Sequence, residues 1–530
     1  MTITFIACKK IWTGTGNDQS ADALLFSPEG IIAVGPRDQL RSHPMYGQSR
    51  KADLGDGIVV PGLSDCHLHL LAYAKQKLFV DLSKAQSQDD VLAALAERVQ
   101  RAAPDEWVCG FNLDETSWPE PTLPDRRTLD ALGIPNPVLV QRVCTHATIL
   151  NTEAMRRSGL LEAASFEGVL SGEDDTPNGI LVESAQATAH SRMGGETFVR
   201  QKLLEVLSHS LQECASYGLT TLFVCGATSL GMEERMDLYQ ALRTDGRLTA
   251  RIFAYHDMDT VPTVTSGFGD RWIAYQGYKL FLDGSLGART AALSKAYADA
   301  PQERGMLLHD TAALTAKLKE LDVMACQALV HAIGDAALDQ LLDAAEGAEA
   351  RQHKEGRKLP ILVNHCMICR PDQVTRMRRL GVAATVQPTF VPSDRTMTPA
   401  RLGDRIDRGW AYPWRSLTDA GIRLNGSSDS PIESLDPWLG IRAAVTRHTR
   451  EGVWMPEQRL SVAEALCMYT VNPAVNSGSN EWRGTLEAGK EADFAVLDTD
   501  IFACSEDRRA DARVQCTVVG GRSVYGELKE

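Results

Sequence analysis

The pentapeptide Asp65-Cys66-His67-Leu68-His69 places two imidazoles one residue apart. It closes the apolar run Ile58–Leu63, which reads as a strand. Side chains at i and i+2 of a strand share a face, so His67 and His69 point one way while Cys66 and Leu68 point the other. Two imidazoles on one face at the end of a buried strand can chelate a single divalent ion. A His-x-His pair alone says little, and its continuation says more. Lys279 lies in Gly277-Tyr-Lys-Leu-Phe-Leu-Asp-Gly284, and His331 ends Ala328-Leu-Val-His331. His365 ends Ile361-Leu-Val-Asn-His365, and Asp429 follows the segment Ile422–Ser428. Each of these residues sits at or near the C-terminal end of a short apolar run.

Helix-like segments separate most of those runs. Strand and helix alternating over several hundred residues predict an α/β fold, a parallel (β/α)8 barrel of the TIM type. Chemistry in such barrels gathers at the C-terminal ends of the strands, where the loops converge. The barrel is expected over residues 61–474. Residues 82–210 separate the first ligand strand from the next apolar run, Leu219–Cys225, by too much for a simple loop. They therefore read as an inserted subdomain near the barrel mouth, with Trp118, Arg142 and His146 as candidate pocket residues. Packing of a turn by Trp118 and a structural hydrogen bond for His146 are the plainer alternatives. Strand-like alternation with Gly-rich turns at residues 1–60 and 475–530 predicts small antiparallel sheets at both termini.

Six segments carry a family resemblance: Pro61–His69, Lys279–Thr290, Val330–Asp335, Asn364-His365, Gly426–Pro431 and Gly484–Asp498. Together they resemble the amidohydrolase superfamily, in the branch that includes N-substituted formamide deformylase. The resemblance implies that the two termini form one β-sandwich beside the barrel. It implies that His67, His69 and Asp429 hold one metal, that His331 and His365 hold a second, and that Lys279 bridges them. An ammonium cannot ligate a cation, so Lys279 would bridge two zinc ions as a carbamate formed with carbon dioxide. Asp429 would also serve as the catalytic base, and Asp283 and Arg289 could touch substrate. The implied reaction is hydrolysis of a C–N bond, other than a peptide bond, in an amide, an N-substituted formamide or a cyclic amide. Asn364 departs from the pattern, in which Glu usually precedes the histidine. Two rivals stay open: a metal-dependent deaminase, which Lys279 argues against, and a catalytically silent binding or regulatory relative.

The resemblance implies a small-molecule amide as the partner, and composition excludes several other classes. The net charge of −14 opposes nucleic-acid binding, and no apolar run approaches the ~20 residues of a membrane span. The N-terminus lacks the leading charge and apolar core of a secretory signal. Twelve cysteines without paired spacing suit a reducing cytoplasm. A homodimer is the candidate assembly. Cys366-Met-Ile-Cys369 could be a redox pair or half a zinc site, but without a second such motif two packed thiols is the simpler reading. Asp335 is expected to cap a helix after His331, and Arg401–Arg408 to form a solvated charged segment. The histidines outside the motifs (His43, His190, His209, His256, His309, His353 and His448) read as surface or satisfied polar positions.

Overall fold

A computed structural model describes residues 2–528 apart from 17–20, 104–105, 143–146, 163–165, 173–174, 183–184, 187, 190–194, 227–233, 258–263, 349–358 and 505–511. Eight strands run in chain order as one parallel series: β1 (Leu63–Leu68), β2 (Leu219–Cys225), β3 (Arg251–Asp257), β4 (Ile273–Phe281), β5 (Gln327–Ala332), β6 (Leu362–His365), β7 (Ala383–Val386) and β8 (Leu424–Gly426). Every neighbouring pair in the series is parallel. The two ends meet just beyond β8. The Asp429 amide donates to the His67 carbonyl at 2.8 Å, and the His69 amide donates to the Ser430 carbonyl at 2.8 Å. This is the TIM-type barrel that the alternating runs predict.

The strands read as unbroken apolar runs because both faces are covered, as parallel sheets require; every residue of β2, Leu-Thr-Thr-Leu-Phe-Val-Cys, is buried. Helices supply the outer cover. In Thr311–Val323, Asp310 caps the first turn by accepting from the Ala313 amide at 2.7 Å, and Leu314, Leu318 and Leu321 form the buried stripe. At the floor of the barrel Arg483 is enclosed, donating to Ser64 Oγ at 3.1 Å and lying over the rings of Phe223 and Phe253.

The termini build two packed sheets. One holds Gly30–Gly35, Ala23–Ser27, Thr4–Ala7 and Arg50–Asp53 in that order. The other holds Lys10–Ile11, Ile58–Pro61, Phe494–Leu497, Val514–Val519 and Arg522–Gly526. Ile6, Phe26, Val59, Phe494 and Val518 share the core between them, with Phe26 edge-on to Phe494 at 5.2 Å. Arg251 of β3 ties these sheets to the barrel. It is fully buried and donates to Asp493 at 2.7 Å and Glu491 at 2.9 Å.

Residues Ala72–His209 form a compact unit of their own. Its six-stranded sheet runs Val169–Ser171, Pro177–Val182, Ala147–Leu150, Val138–Arg142, Val108–Leu113 and Val80–Asp81. Trp118 belongs to the core of this unit, with Val91, Leu95, Val140 and Ile149, and its indole N–H donates to the Ala85 carbonyl at 2.7 Å. The packing role therefore replaces the pocket role for Trp118. Arg142 is held by Glu115, with Nε donating at 2.9 Å. His146 lies outside the described residues.

Two smaller expectations are corrected. The helix Asp335–Gly347 starts at Asp335 itself, with Gly334 as its N-cap and no side-chain cap. Asp335 is fully buried and instead accepts from the Ser294 amide at 2.9 Å and Arg370 at 2.8 Å. Within Arg401–Arg408, Arg405 is buried rather than solvated, because its guanidinium satisfies the carbonyls of Leu402, Lys295 and Ala296. No described helix is long and apolar enough to cross a membrane.

Candidate metal centre

The ends of the barrel strands bring the six expected ligand-type residues to one cavity. His67, His69, Lys279, His331, His365 and Asp429 all line it, together with Asp283. Its volume is about 630 Å³. A larger cavity of about 760 Å³ lies near the N-terminal ends of β3 to β6, lined by Phe253, Gln276, Cys326 and Ser479. That one gathers no comparable set of donors, so the chemistry belongs to the smaller cavity.

Strand alternation aims the β1 pair at Asp429. Oδ1 of Asp429 lies 3.0 Å from Nε2 of His67 and 3.6 Å from Nε2 of His69. The other nitrogens are held by one residue at the end of β2: Nδ1 of His67 is 3.0 Å from the Cys225 thiol, and Nδ1 of His69 is 2.7 Å from the Cys225 carbonyl. His365 has Nδ1 at 2.9 Å from Gln387 Oε1 and Nε2 at 2.8 Å from Asn364 Nδ2. The ring of His331 stands 4.5 Å from that of His365, and its Nε2 is 3.1 Å from the Gly284 carbonyl and 3.3 Å from Asp283. His365 and Asp429 both have positive φ, 73° and 57°. Non-glycine residues held there cost roughly 1–3 kcal/mol each and collect at functional sites.

Buried acids fix the surrounding loops. Asp65 accepts from the Ser428 amide at 3.1 Å and its hydroxyl at 2.5 Å, anchoring the segment that carries Asp429. Burial pushes the Asp65 carboxyl up to about 7. Asp283 accepts from the amides of Ala292 (2.9 Å), Ile333 (3.0 Å) and Gly334 (2.8 Å), so it is both a cavity residue and the pin of the β4 and β5 loops. Arg289 pairs with Asp299 at 3.1 Å and is absent from the described cavity lining. Cys366 and Cys369 are buried free thiols.

The donors suit a divalent cation. Donor atoms of His67, His365 and Asp429 all lie within 4.8 Å of one another, a group that draws on both ligand sets implied by the resemblance. Burial, then the charge of Lys279, lowers His67 to about 3, and burial with His331 takes His365 well below the usual imidazole range. Both rings are therefore neutral, the form that binds metal. Burial alone would raise Asp429, but His67 and its neighbours hold it well below the usual carboxylate range. Lys279 is 1% exposed, and its Nζ has no hydrogen-bond partner. Burial lowers its amine to about 8. An orphaned buried amine beside three neutral or anionic donors fits a centre that recruits further ligands.

Sequence reasoning missed Cys225 and Gln387. Cys225 is the last residue of β2, and Gln387 directly follows β7, so the strand-end rule reaches both. Their types hid them, since a thiol in an apolar run reads as core.

These features define a metal-centre barrel, and comparison with known proteins places it. Residues 51–525 match the model of the amidohydrolase family (Amidohydro_3), and the chain belongs to that family. It is 28% identical over 517 residues to the protein YtcJ of Bacillus subtilis (strain 168), covering 94% of this chain and 95% of that one. It is 26% identical over 546 residues to the N-substituted formamide deformylase of Arthrobacter pascens, covering 96% of each. Among solved structures, an uncharacterized metal-dependent hydrolase from Pyrococcus horikoshii OT3 superposes with a TM-score of 0.71 at 26% identity, covering 96% of this chain and 99% of that one.

Proposed function

We propose that this protein is a metal-dependent hydrolase that adds water across the C–N bond of a small non-peptide amide. N-substituted formamides, simple amides and cyclic amides are the substrate classes. The observation that carries the reading is the convergence of His67, His365 and Asp429 donor atoms within 4.8 Å in a cavity that also holds the unpartnered Lys279 amine. Similarity to an N-substituted formamide deformylase supports testing formamides first.

In this reading His67, His69 and Asp429 would hold one zinc ion and His331 and His365 would hold a second. Lys279 would contribute to both as a carbamate, formed when its neutral amine attacks carbon dioxide, with a new N–C bond and one proton lost to solvent. Such metals supply Lewis acidity toward a carbonyl and lower the pKa of water from ~15.7 to about 7. Asp429, ionised and facing His67 and His69, takes the proton of the attacking water and passes it to the departing nitrogen. The acyl carbon gains the hydroxyl and the C–N bond breaks, giving a carboxylic acid and an amine, or from a cyclic amide one ring-opened product that carries both groups. Cys225 and Gln387 hold the imidazoles in register through their distal nitrogens. Phe281, Leu286, Ile333 and Phe390 make the cavity wall apolar, which keeps bulk water from competing with substrate.

Metal analysis joined to an amide-hydrolysis screen tests the proposal, beginning with N-substituted formamides, N-acyl amines and hydantoin-like rings. The expected result is bound divalent metal and turnover that is lost on chelation and restored by metal. Ammonia release from amino-substituted aromatic rings, with no amide turned over, would establish a deaminase instead.

A further inference from the structure

Resting on the amide-hydrolase reading above, we propose that the cavity selects amides carrying an apolar body that ends in a cationic amine, with Asp394 and Glu433 supplying the counter-charges. The walls are mostly hydrophobic, from Phe281, Leu286, Leu308, Ile333, Met367 and Phe390. Lys279 is the only lysine or arginine among the described lining residues, and it is buried at the metal-type cluster. Among the described residues, no other lysine or arginine lines the cavity to meet a substrate carboxylate. Besides Asp283 and Asp429, two further carboxylates, Asp394 and Glu433, line the same cavity. Asp394 accepts one hydrogen bond from the Tyr412 hydroxyl at 2.6 Å through Oδ2, leaving Oδ1 available. Neither Asp394 nor Glu433 makes an ion pair among the described residues.

Among the described residues, hydroxyls alone meet these acids, Tyr412 at Asp394 and Ser393 at Glu433, and neither hydroxyl brings a positive charge. Away from the cavity, Asp335, Asp493 and Asp436 each have a cation or a backbone duty. Asp335 meets Arg370 at 2.8 Å, Asp493 meets Arg251 at 2.7 Å, and Asp436 caps a helix through the Trp438 amide at 2.9 Å. Burial pushes the Asp394 carboxyl up to about 6, with Glu433 adding to the rise, and burial also raises Glu433. Partly desolvated carboxylates without a cation are held at a cost that a bound cation relieves. A second, independent feature marks the same cavity as a ligand site: the fully buried Lys279 Nζ opens into it without a partner. Ile432, directly before Glu433 and 58% exposed, adds an apolar contact beside the acid. The pattern suits a substrate with a hydrocarbon or aryl body and a protonated amine at its end.

The test uses three N-benzylformamides of matched size, para-substituted with aminomethyl, methyl or carboxylate, assayed with the metal-loaded full-length protein. The cationic compound is expected to exceed the neutral one by about tenfold in kcat/KM, the scale of one charge-assisted hydrogen bond, and the anionic one to fall below both. Glu433→Gln should shrink the cationic-to-neutral ratio at least threefold, and Glu433→Lys should invert the cationic and anionic order, each with a Tm near that of the parent. Equal kcat/KM across the series, or ratios unchanged in both Glu433 variants, overturns the amine assignment while leaving amide hydrolysis intact. Failure to hydrolyse any formamide or the matching acetamides, with metal bound, overturns the amide reading and this inference with it.

Discussion

Cys225 touches both histidines of the His-x-His pair, but through different atoms. Its carbonyl accepts from His69, and its thiol lies 3.0 Å from Nδ1 of His67. A substitution removes only the second contact, because the first belongs to the backbone. Cys225→Ala should therefore weaken divalent-metal affinity by about 10–100-fold, the usual cost of losing a partner behind a ligating imidazole. Cys225→Ser should recover most of it, since a hydroxyl can also donate or accept. Chelator competition reads the affinity directly, and equal affinity in Cys225→Ala would remove the thiol from the site. His67→Ala and His365→Ala are each expected to abolish turnover and lose metal in a folded protein. Asp429→Asn should cut kcat by ~10²–10⁴, the contribution of a positioned proton transfer; a metal-replete variant with near-normal kcat would deny Asp429 the proton. The six ligand-type residues were legible because imidazole, amine and carboxylate are conspicuous at the ends of apolar runs. Cys225 was not, because a thiol there is indistinguishable from packing.

Among the elements, the loops after β4 and β5 depend on one side chain. Asp283 is fully buried and receives three amides, from Ala292, Ile333 and Gly334, while His331 sits 3.3 Å from it. Asp283→Ala leaves three buried donors without an acceptor. At roughly 1–3 kcal/mol for each unsatisfied buried group, partly recovered by entering water, a loss of about 2–4 kcal/mol is expected. Urea denaturation measures it, and a change below about 0.5 kcal/mol would show that the loops hold without Asp283. The barrel itself could be read from sequence because most strands are apolar runs, with an imidazole, amine or carboxylate at or just beyond the ends of β1, β4, β5, β6 and β8. The sheet inside Ala72–His209 was harder. Its strands are short, as in Val80–Asp81 and Val169–Ser171, and they pair out of chain order, a long-range choice that periodicity does not encode. The same limit explains Trp118, whose burial depends on Val91, Leu95 and Ile149 arriving from separate elements.

For the whole molecule, the cluster of neutral imidazoles makes the metal-free protein sensitive to acid. Burial, followed by the charge of Lys279, lowers His67 from its ordinary 6.5 to about 3. Between those two values the unfolded chain takes up a proton that the folded chain refuses, so unfolding free energy falls as pH falls through that window. The contribution of His67 is complete above 6.5 and disappears toward 3. Each such histidine supplies a slope of about 1.4 kcal/mol per pH unit, and His365 shifts in the same direction. Asp65 acts oppositely: its carboxyl, raised to about 7 by burial, favours the folded state at low pH and loses that contribution as pH rises from about 3.8 to 7. The net slope mixes these terms, so the difference between parent and His67→Ala isolates one. Urea unfolding of chelated protein at pH 7 and pH 5 should show the parent losing about 1.4 kcal/mol more per pH unit, over the part of that interval below 6.5, than the variant loses. Asp429 is held well below the ordinary carboxylate value of 3.8 and adds its own pH dependence as the pH nears that value, so the comparison stops at pH 5. Bound metal should steepen the loss, because its ligands must give up protons to hold it. Parallel pH profiles for the metal-free parent and His67→Ala would mean that the folded protein admits a proton at His67, in conflict with an imidazole enclosed by Asp429, Cys225 and Lys279.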